Sequence, residues 1–375
     1  MTMSNYNFLA FLLSILVLLG SLSLAEKPKV SDRHQYAFEE IAISGASASE
    51  PIRDQFSMQA ALTYIEQGAK AWTEKRQCVS CHTNGSYLLT RPALSNLVGP
   101  PDHGVRRFFV NELEKLKRED RENLKQGLKP TEIAYLAGGL AEWDRHVTGI
   151  LSEDTEAALE LMFDVQAADG SYRNEDCWPP LESSDFHGAT VAAMAAVAAP
   201  NWLDKNNARD SGLAKRFKRL KGYLRNTNPP HDYARLLLLW ASARIPDLID
   251  LNRKNAIVSS IWKHQQDDGG WSLRTFAKPE AWGSGNRARK LLAEPELNNP
   301  QSDGHMTGLA VLVLRESGVD ASDARIEQAV QWLKSNQRQS GRWWTRSLNT
   351  DRYHFITYSG TCYPLLALAQ CNALE

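Results

Sequence analysis

Three segments of this 375-residue chain share a pattern in which a helix-forming stretch ends in glutamine and is followed by glycine and an aromatic residue. The last carbonyls of a helix lack partners, so a glutamine amide can donate to them and a glycine can adopt the left-handed cap conformation. The aromatic ring then covers the turn. Each segment therefore predicts a helix end. The segments run from Gln166 to Tyr172, from Gln266 to Trp271 and from Gln337 to Trp343.

Helices of two kinds alternate along the chain. The first helix of each pair is charged and amphipathic, which predicts a face toward water, whereas the second is apolar all round, which predicts burial. About six such hairpins are visible, and neither end shows a polar capping repeat, so a closed ring of outer and inner helices is favoured over an open solenoid. The second helices after the three turns are predicted over 189–199, 307–314 and 361–369, and two further pairs over 106–126 with 130–143 and 215–224 with 233–243.

The amino terminus predicts export. Residues 8–24 are apolar, and Ser23 and Ala25 are small residues at the two positions that a signal peptidase reads, so residues 1–25 are interpreted as a signal peptide. An uncleaved anchor is the alternative, because no Lys or Arg precedes the apolar stretch. The expected location is exported, either periplasmic or membrane-associated on the outer face.

The remaining chain is predicted to contain an extended segment over 26–55 and a single helical domain over 56–375. Its charge is nearly balanced, with 43 Lys and Arg residues against 44 Asp and Glu residues, which argues against a nucleic-acid partner. One basic stretch, Lys215 to Arg225, falls on a predicted outer helix. It is interpreted either as a solvated face or as a surface for peripheral contact with an anionic membrane.

Residues 78–82 have the Cys-x-x-Cys-His spacing at which a c-type haem is attached covalently. Cys78 and Cys81 can each add to a porphyrin vinyl group, and His82 can ligate the iron. The alternatives are a disulfide between Cys78 and Cys81 or half of a zinc site, and the zinc site is disfavoured because no second close Cys/His pair follows. The sequence therefore predicts haem c as the cofactor, held by these three residues.

The haem motif is predicted to be an insertion within the turn of the first repeat. Aligning Gln77 with Gln166 places the Gly-Ser-Tyr sequence at 85–87 on the Gly-Ser-Tyr sequence at 170–172, and residues 78–82 interrupt the turn. In a ring of hairpins all such turns lie at one rim. The motif is therefore expected in a rim loop.

Short polar motifs precede the predicted inner helices at the same rim. One interpretation is that their acidic residues are helix N-caps. The alternative is that their histidines converge on the mouth of the ring, where one of them could ligate the iron opposite His82. The predicted N-caps are Asp185, Asp232 and Asp303; the candidate distal ligands are His187, His231, His305 and, on a nearby loop, His103; the candidates for catalysis are Asp185, His187, Asp303 and His305.

The helix-Gln-Gly-aromatic repeats resemble the QW repeats of the squalene-hopene cyclase and protein prenyltransferase superfamily. The arrangement with Cys-x-x-Cys-His in the first repeat is similar to exported squalene-cyclase-like proteins of planctomycete-type bacteria. The resemblance implies an α/α toroid and an apolar or isoprenoid ligand. It also implies an Asp-x-Asp-Asp acid motif for polycyclase chemistry, but the matching place reads Asp185-Phe186-His187-Gly188, and an imidazolium is too weak an acid for that step.

Three functional hypotheses follow from these patterns. The first is an exported toroid carrying covalent haem c, used for electron transfer to a redox partner or for redox chemistry on an apolar small molecule. The second is a haem-free toroid with a Cys78-Cys81 disulfide that binds a terpenoid or lipid, or acts as a diverged cyclase-like enzyme. The third is a repeat scaffold that binds another protein, which predicts a ring interior filled by side chains such as Trp143, Trp240 and Tyr358.

Overall fold

The computed structural model describes residues 35–175, 178–208, 211–350 and 354–375. Within them, helices alternate between an outer and an inner layer. The outer helices are α1 (Met58–Arg76), α3 (His103–Leu116), α5 (Glu153–Asp164), α7 (Gly212–Asn226), α9 (Leu251–Lys263) and α11 (Ala324–Ser335), and the inner helices are α2 (Asn84–Thr90), α4 (Lys129–Trp143), α6 (Asp185–Ala198), α8 (Asp232–Arg244), α10 (Gly304–Glu316) and α12 (Phe355–Gln370).

The inner helices form a closed ring. Each inner helix packs on the next one along the chain, and α12 packs back on α2 and α1. The prediction of an all-α fold with six helical hairpins in an α/α toroid is therefore confirmed. Closure buries the apolar flanks that the first and last repeats of an open solenoid would expose to water.

Burial separates the two layers as the sequence predicts. In the inner helix α10 every residue from Gly304 to Leu314 is buried, because neighbouring inner helices and an outer helix cover all its faces. The outer helix α7 buries only Leu220 and Leu224, one turn apart on its inward face. A single apolar stripe is typical of a helix with water on its other side.

Short elements connect these helices. An antiparallel pair of two-residue strands, β1 (Ala37–Phe38) and β2 (Ile41–Ala42), precedes α1. The loops that lead from an outer to an inner helix share one rim with residues 77–83, and we call it the motif rim; the opposite rim is the far rim. Short helical segments cover Arg91–Leu94, Ser95–Val98, Arg121–Leu124, Asp144–Thr148, Trp202–Ala208, Leu273–Phe276, Pro279–Gly285 and Ala288–Leu292.

The repeated glutamine joins neighbouring repeats. Gln166 Nε2 donates to the carbonyl of Gly170 (3.2 Å) and to that of Arg216 near the start of α7 (3.2 Å). In the next such turn the equivalent residue is Gln265, whose Nε2 donates to Gly269 and to Arg325 at the start of α11, both at 2.9 Å. The sequence pattern assigned this role to Gln266. That assignment is wrong by one position, because Gln265 makes both bonds and Gln266 Nε2 donates to the carbonyl of Pro300 instead (2.6 Å).

The third glutamine closes the ring between its sequence ends. Gln337 Nε2 donates to Gly341 O (2.8 Å) and to the carbonyl of Ser57, the N-cap of α1 (2.9 Å). Gly341 has φ +92°, a conformation that L side chains rarely adopt, and an added Cβ would lie 2.3 Å from the backbone of Ala60. The turn therefore requires glycine both for its backbone angle and for its close approach to α1.

The first repeat does not contain the predicted Gly-aromatic turn. Gly85 and Tyr87 lie inside helix α2, and Gln77 itself takes the left-handed conformation (φ 52°) that ends α1. The alignment of residues 85–87 with 170–172 is therefore wrong. The haem motif replaces the turn rather than interrupting it.

Residues 35–57, which we call the N-terminal strap, run over the junction of the last and first repeats. The Arg342 guanidinium, 1% exposed, donates to Glu50 (2.6 Å) and to the carbonyls of Ser44 and Gly45 (2.7 and 2.9 Å). The predicted signal peptide lies outside the described residues. No helix in the described ranges is both long and apolar enough to cross a membrane.

Three residues of the basic stretch on α7 make contacts with neighbouring elements. Arg216 pairs with Asp164 of α5 (2.6 Å), Lys221 donates to the carbonyl of Pro246 (2.6 Å), and Arg225 donates to that of Asp247. These bonds lie at the surface and tie α7 to its neighbours.

Candidate functional site at the motif rim

The haem-motif loop is held in one shape by the first residues of α2. Asn84 Oδ1 accepts from Ser80 N (2.8 Å), while Asn84 Nδ2 donates to the carbonyl of Cys78 (3.0 Å). Ser86 Oγ donates to the carbonyl of Cys81 (2.6 Å), and Gly85 comes so close that a Cβ there would lie 2.5 Å from Ser80 O. Asn84, Gly85 and Ser86 therefore fix the loop that carries both cysteines.

A cavity of about 320 Å³ opens beside this loop. Its volume falls at the lower end of the range for small-molecule sites. All three residues of the predicted haem attachment line it, together with aromatic and aliphatic side chains from four other loops or helices. The lining residues are Trp72, Cys78, Val79, Ser80, Cys81, His82, Leu128, Trp178, Leu181, Glu182, Asn349, Phe355 and Ile356.

His82 presents one ring nitrogen for ligation. Its ring packs edge-on against Trp72 and Phe355, with centroids 4.7 and 4.4 Å away. Its Nδ1 is 2.8 Å from Thr83 Oγ1, which leaves Nε2 as the nitrogen without a hydrogen bond in the described part of the chain. Burial lowers the pKa of His82 to about 3, so the imidazole is neutral at pH 7, the form in which histidine binds a metal.

The two cysteines are free thiols. Cys78 is half-buried, and burial raises its pKa; Cys81 is buried, and burial together with the nearby Glu182 carboxyl raises its pKa well above the usual value. Both are therefore neutral thiols at pH 7. The Cys81 thiol hydrogen-bonds to Glu182 across the cavity wall.

Glu182 is a polar residue of the site that the sequence reasoning did not identify. Its carboxyl is 8% exposed, and burial raises its pKa to about 7. A tight turn holds it, since the backbones of Trp178 and Glu182 pair at 2.8 and 3.1 Å and Asn349 Nδ2 donates to Pro179 O (2.7 Å). Nothing in the sequence marks Glu182, because its proximity to Cys81 arises only when two distant loops meet.

Neither Asp185 nor His187 lines the cavity. His187 is buried, whereas Asp185 is half-buried. The N-cap of α6 is Ser184, not Asp185, because Ser184 Oγ accepts from His187 N (3.2 Å); Asp185 instead accepts from the backbone of Asn174 (2.9 Å). His187 Nε2 is 3.0 Å from the Tyr135 hydroxyl. Burial raises the pKa of Asp185 and lowers that of His187 to about 3.

Asp303 is the N-cap of α10, as predicted, and accepts from Met306 N (2.9 Å) and Leu273 N (2.6 Å). Burial raises its pKa to about 6. His305 is fully buried with both ring nitrogens engaged, by Ser359 Oγ (2.9 Å) and Tyr233 OH (3.1 Å). Neither residue lines the motif cavity.

The remaining histidine candidates are also outside the cavity. His231, rather than Asp232, caps α8, because its Nδ1 accepts from Ala234 N (3.1 Å). His103 begins α3 at the far rim, where its ring lies 4.9 Å from that of Trp143. The structure therefore brings together Cys78, Cys81 and His82, and among the described residues no second histidine and no methionine line their cavity.

Aromatic side chains pack in the ring interior. The His305 ring contacts those of Tyr233 and Tyr363, with centroids 5.9 and 5.2 Å away. The predicted interior residues Trp143, Trp240 and Tyr358 are all buried. A wider groove of about 1060 Å³ lies on the outer surface beside α11, away from the motif.

Comparisons with known proteins do not assign a family. No protein-family model and no curated protein matches the chain. Among solved structures, a variant of the type II terpene cyclase MstE from Scytonema in complex with geranylgeranyl dihydroxybenzoate matches at 14% identity and TM-score 0.47, covering 84% of this chain and 97% of that chain. A glycosidase variant in complex with glucose matches at 12% identity and TM-score 0.48, with coverages of 84% and 98%. The toroid assignment rests on the helix contacts described above.

Proposed function

We propose that this α/α toroid is an exported haem c protein whose iron has an open sixth position and acts on a small apolar molecule. Cys78 and Cys81 would hold the porphyrin, and His82 would ligate the iron. The observation that carries the proposal is that these three side chains line one apolar cavity, with a neutral imidazole nitrogen available in it.

The donor set fits the cofactor. Two neutral thiols and one neutral imidazole are the groups that covalent attachment and axial ligation require. Trp72, Leu181 and Ile356 supply apolar surface, which excludes water from a bound group. Bound haem would supply one-electron redox chemistry at this rim.

The cavity lining supports an open sixth position. In the described ranges, the polar side chains that share the cavity with the motif are Ser80, Glu182 and Asn349, none of which is a usual axial ligand of haem. His187, His231 and His305 are engaged in the ring interior or at a helix start. An open position favours binding of a small molecule over electron transfer alone.

The decisive experiment is expression of the full chain, with its own amino terminus, in a bacterial host that matures c-type cytochromes. We expect a Soret absorption band that stays with the polypeptide after denaturation. The double variant Cys78→Ser/Cys81→Ser should lose it, whereas Cys371→Ser, at a half-buried thiol after α12, should retain it. Wild-type protein without covalent haem from such a host would contradict the proposal.

Carbon monoxide tests the open position in the reduced protein. We expect it to bind at once, with a shifted Soret band, because no protein ligand has to leave. A reduced spectrum of six-coordinate low-spin iron that carbon monoxide does not change would show that a side chain occupies the sixth position. That result would leave haem attachment intact but would contradict the open site.

A further inference from the structure

The geometry points to Thr83 and Tyr36 as positioning residues for His82, in a hydrogen-bond chain that reverses when His82 ligates iron. Thr83 Oγ1 is 2.8 Å from His82 Nδ1 and 2.8 Å from the Tyr36 hydroxyl. Tyr36 and Thr83 are both fully buried, so water does not compete for these bonds. The inference rests on the proposed function, because it concerns how the chain holds the iron ligand.

Counting donors shows which atom donates in each bond of this hydrogen-bond chain when no haem is bound. In the described part of the protein, the Tyr36 hydroxyl has Thr83 Oγ1 as its one hydrogen-bond partner, and a buried hydroxyl is expected to donate where it can. Tyr36 therefore donates to Thr83. The Thr83 proton then goes to its second partner, His82 Nδ1. Since Nδ1 accepts this bond, the ring's own proton is on Nε2.

Ligation of iron through Nε2 requires the opposite arrangement. The ring proton must leave Nε2 and be carried by Nδ1, with no net change in the number of protons on the imidazole. Nδ1 then donates to Thr83 Oγ1, the Thr83 hydroxyl rotates to donate to the Tyr36 oxygen, and the Tyr36 proton turns away from Thr83. A histidine ligand whose second nitrogen donates to an acceptor is oriented by that bond and becomes more basic.

A role in positioning and tuning follows from this reversal. A more basic axial imidazole stabilises ferric relative to ferrous iron, so the bond to Thr83 lowers the reduction potential. Tyr36 belongs to the N-terminal strap, and its ring lies 4.4 Å from that of His354 and 5.6 Å from that of Tyr358. The N-terminal strap therefore holds one end of this hydrogen-bond chain, although it is distant from His82 in the sequence.

The tautomer can be measured without haem. In the full chain carrying Cys78→Ser and Cys81→Ser, which lacks the attachment thiols, ¹⁵N chemical shifts of His82 should show a neutral ring protonated on Nε2. Adding Tyr36→Phe should give a mixture of tautomers, since Thr83 can then either donate or accept. Tyr358→Phe, which removes a buried hydroxyl of the same aromatic cluster that donates to Ile65 O, should leave Nε2–H unchanged.

The loaded protein gives a separate measurement. We expect Thr83→Val to raise the haem reduction potential and Thr83→Ser to stay close to wild type, because serine restores the acceptor. Equal potentials in wild type, Thr83→Val and Thr83→Ser, or a haem-free His82 protonated on Nδ1, would overturn the inference. Failure to attach haem would instead contradict the proposed function. The tautomer measurement on the haem-free protein would still test the hydrogen-bond chain.

Discussion

Glu182 is a buried carboxylic acid whose pKa departs clearly from that of the free amino acid. Its carboxyl lies in the motif cavity wall, hydrogen-bonded to the Cys81 thiol. Removal from water disfavours the charged form, which raises the pKa from 4.5 to about 7. At neutral pH the cavity therefore contains a carboxyl that exchanges its proton readily.

The pH dependence of the free energy of unfolding tests the raised pKa of Glu182. Because the pKa of Glu182 is raised in the folded state, the unfolded chain loses this proton first as the pH rises. The contribution of Glu182 is most favourable below pH 4.5, falls between pH 4.5 and 7, and is constant above pH 7. The shift corresponds to about 3 kcal/mol.

We therefore expect Glu182→Gln to remove the decrease in the free energy of unfolding that Glu182 causes between pH 4.5 and 7. Urea unfolding of the haem-free chain between pH 4.5 and 7.5 should show the free energy of unfolding of wild type decreasing relative to that of the variant. Other titrating groups are common to both proteins and cancel in the difference. Parallel curves for the two proteins would contradict a raised pKa.

At the scale of single elements, two glycines in helices have opposite environments. Gly308 of the inner helix α10 faces α12, where an added Cβ would lie 2.5 Å from the backbone nitrogen of Pro364. Gly222 of the outer helix α7 has open space around the corresponding position. The inner layer can pack this tightly only where a side chain is absent.

Alanine substitution should separate the two positions. We expect Gly308→Ala to lower the free energy of unfolding by about 1–3 kcal/mol, because α10 and α12 must move apart. Gly222→Ala should raise it by about 0.5–1 kcal/mol, because alanine favours the helix and touches nothing. Thermal unfolding of both variants measures this, and equal effects would show that helix propensity alone decides.

The helical elements were well predicted because their patterns are local. Alternating amphipathic and apolar helices can be read from periodicity, and the glutamine turns carry their own glycine. The details that failed depend on contacts between repeats. Gln265 replaces Gln266 because its amide must reach the carbonyls of both Gly269 and Arg325.

For the whole molecule, the closed ring makes the strap part of its stability. Glu50 neutralises Arg342, a guanidinium buried between the strap and Tyr64 of α1. Replacing one partner of a buried ion pair leaves the other charge uncompensated. The junction between the last and first repeats is therefore sensitive to a single strap residue.

We expect Glu50→Gln to destabilise the ring by about 3 kcal/mol. Glu122→Gln, which breaks the exposed pair with Lys125, should cost less than about 1 kcal/mol. Urea unfolding followed by circular dichroism and by tryptophan fluorescence measures both. Equal costs for the two variants would show that Arg342 does not depend on the strap.

The sequence alone determined the alternation of helices and the haem-like motif, because each depends on residues near one another in the chain. It also indicated a closed ring, because neither end shows a polar capping repeat. Only the tertiary structure decided the composition of the motif cavity. Glu182 and Trp178 reach the cavity from a distant loop and Phe355 reaches it from the start of α12, while Tyr36 contacts His82 through Thr83. The tertiary structure also placed His187, His231 and His305 outside that cavity. The position at which each inner helix starts determines where its first side chains lie in the ring, and the spacing of residues in the sequence does not predict that position.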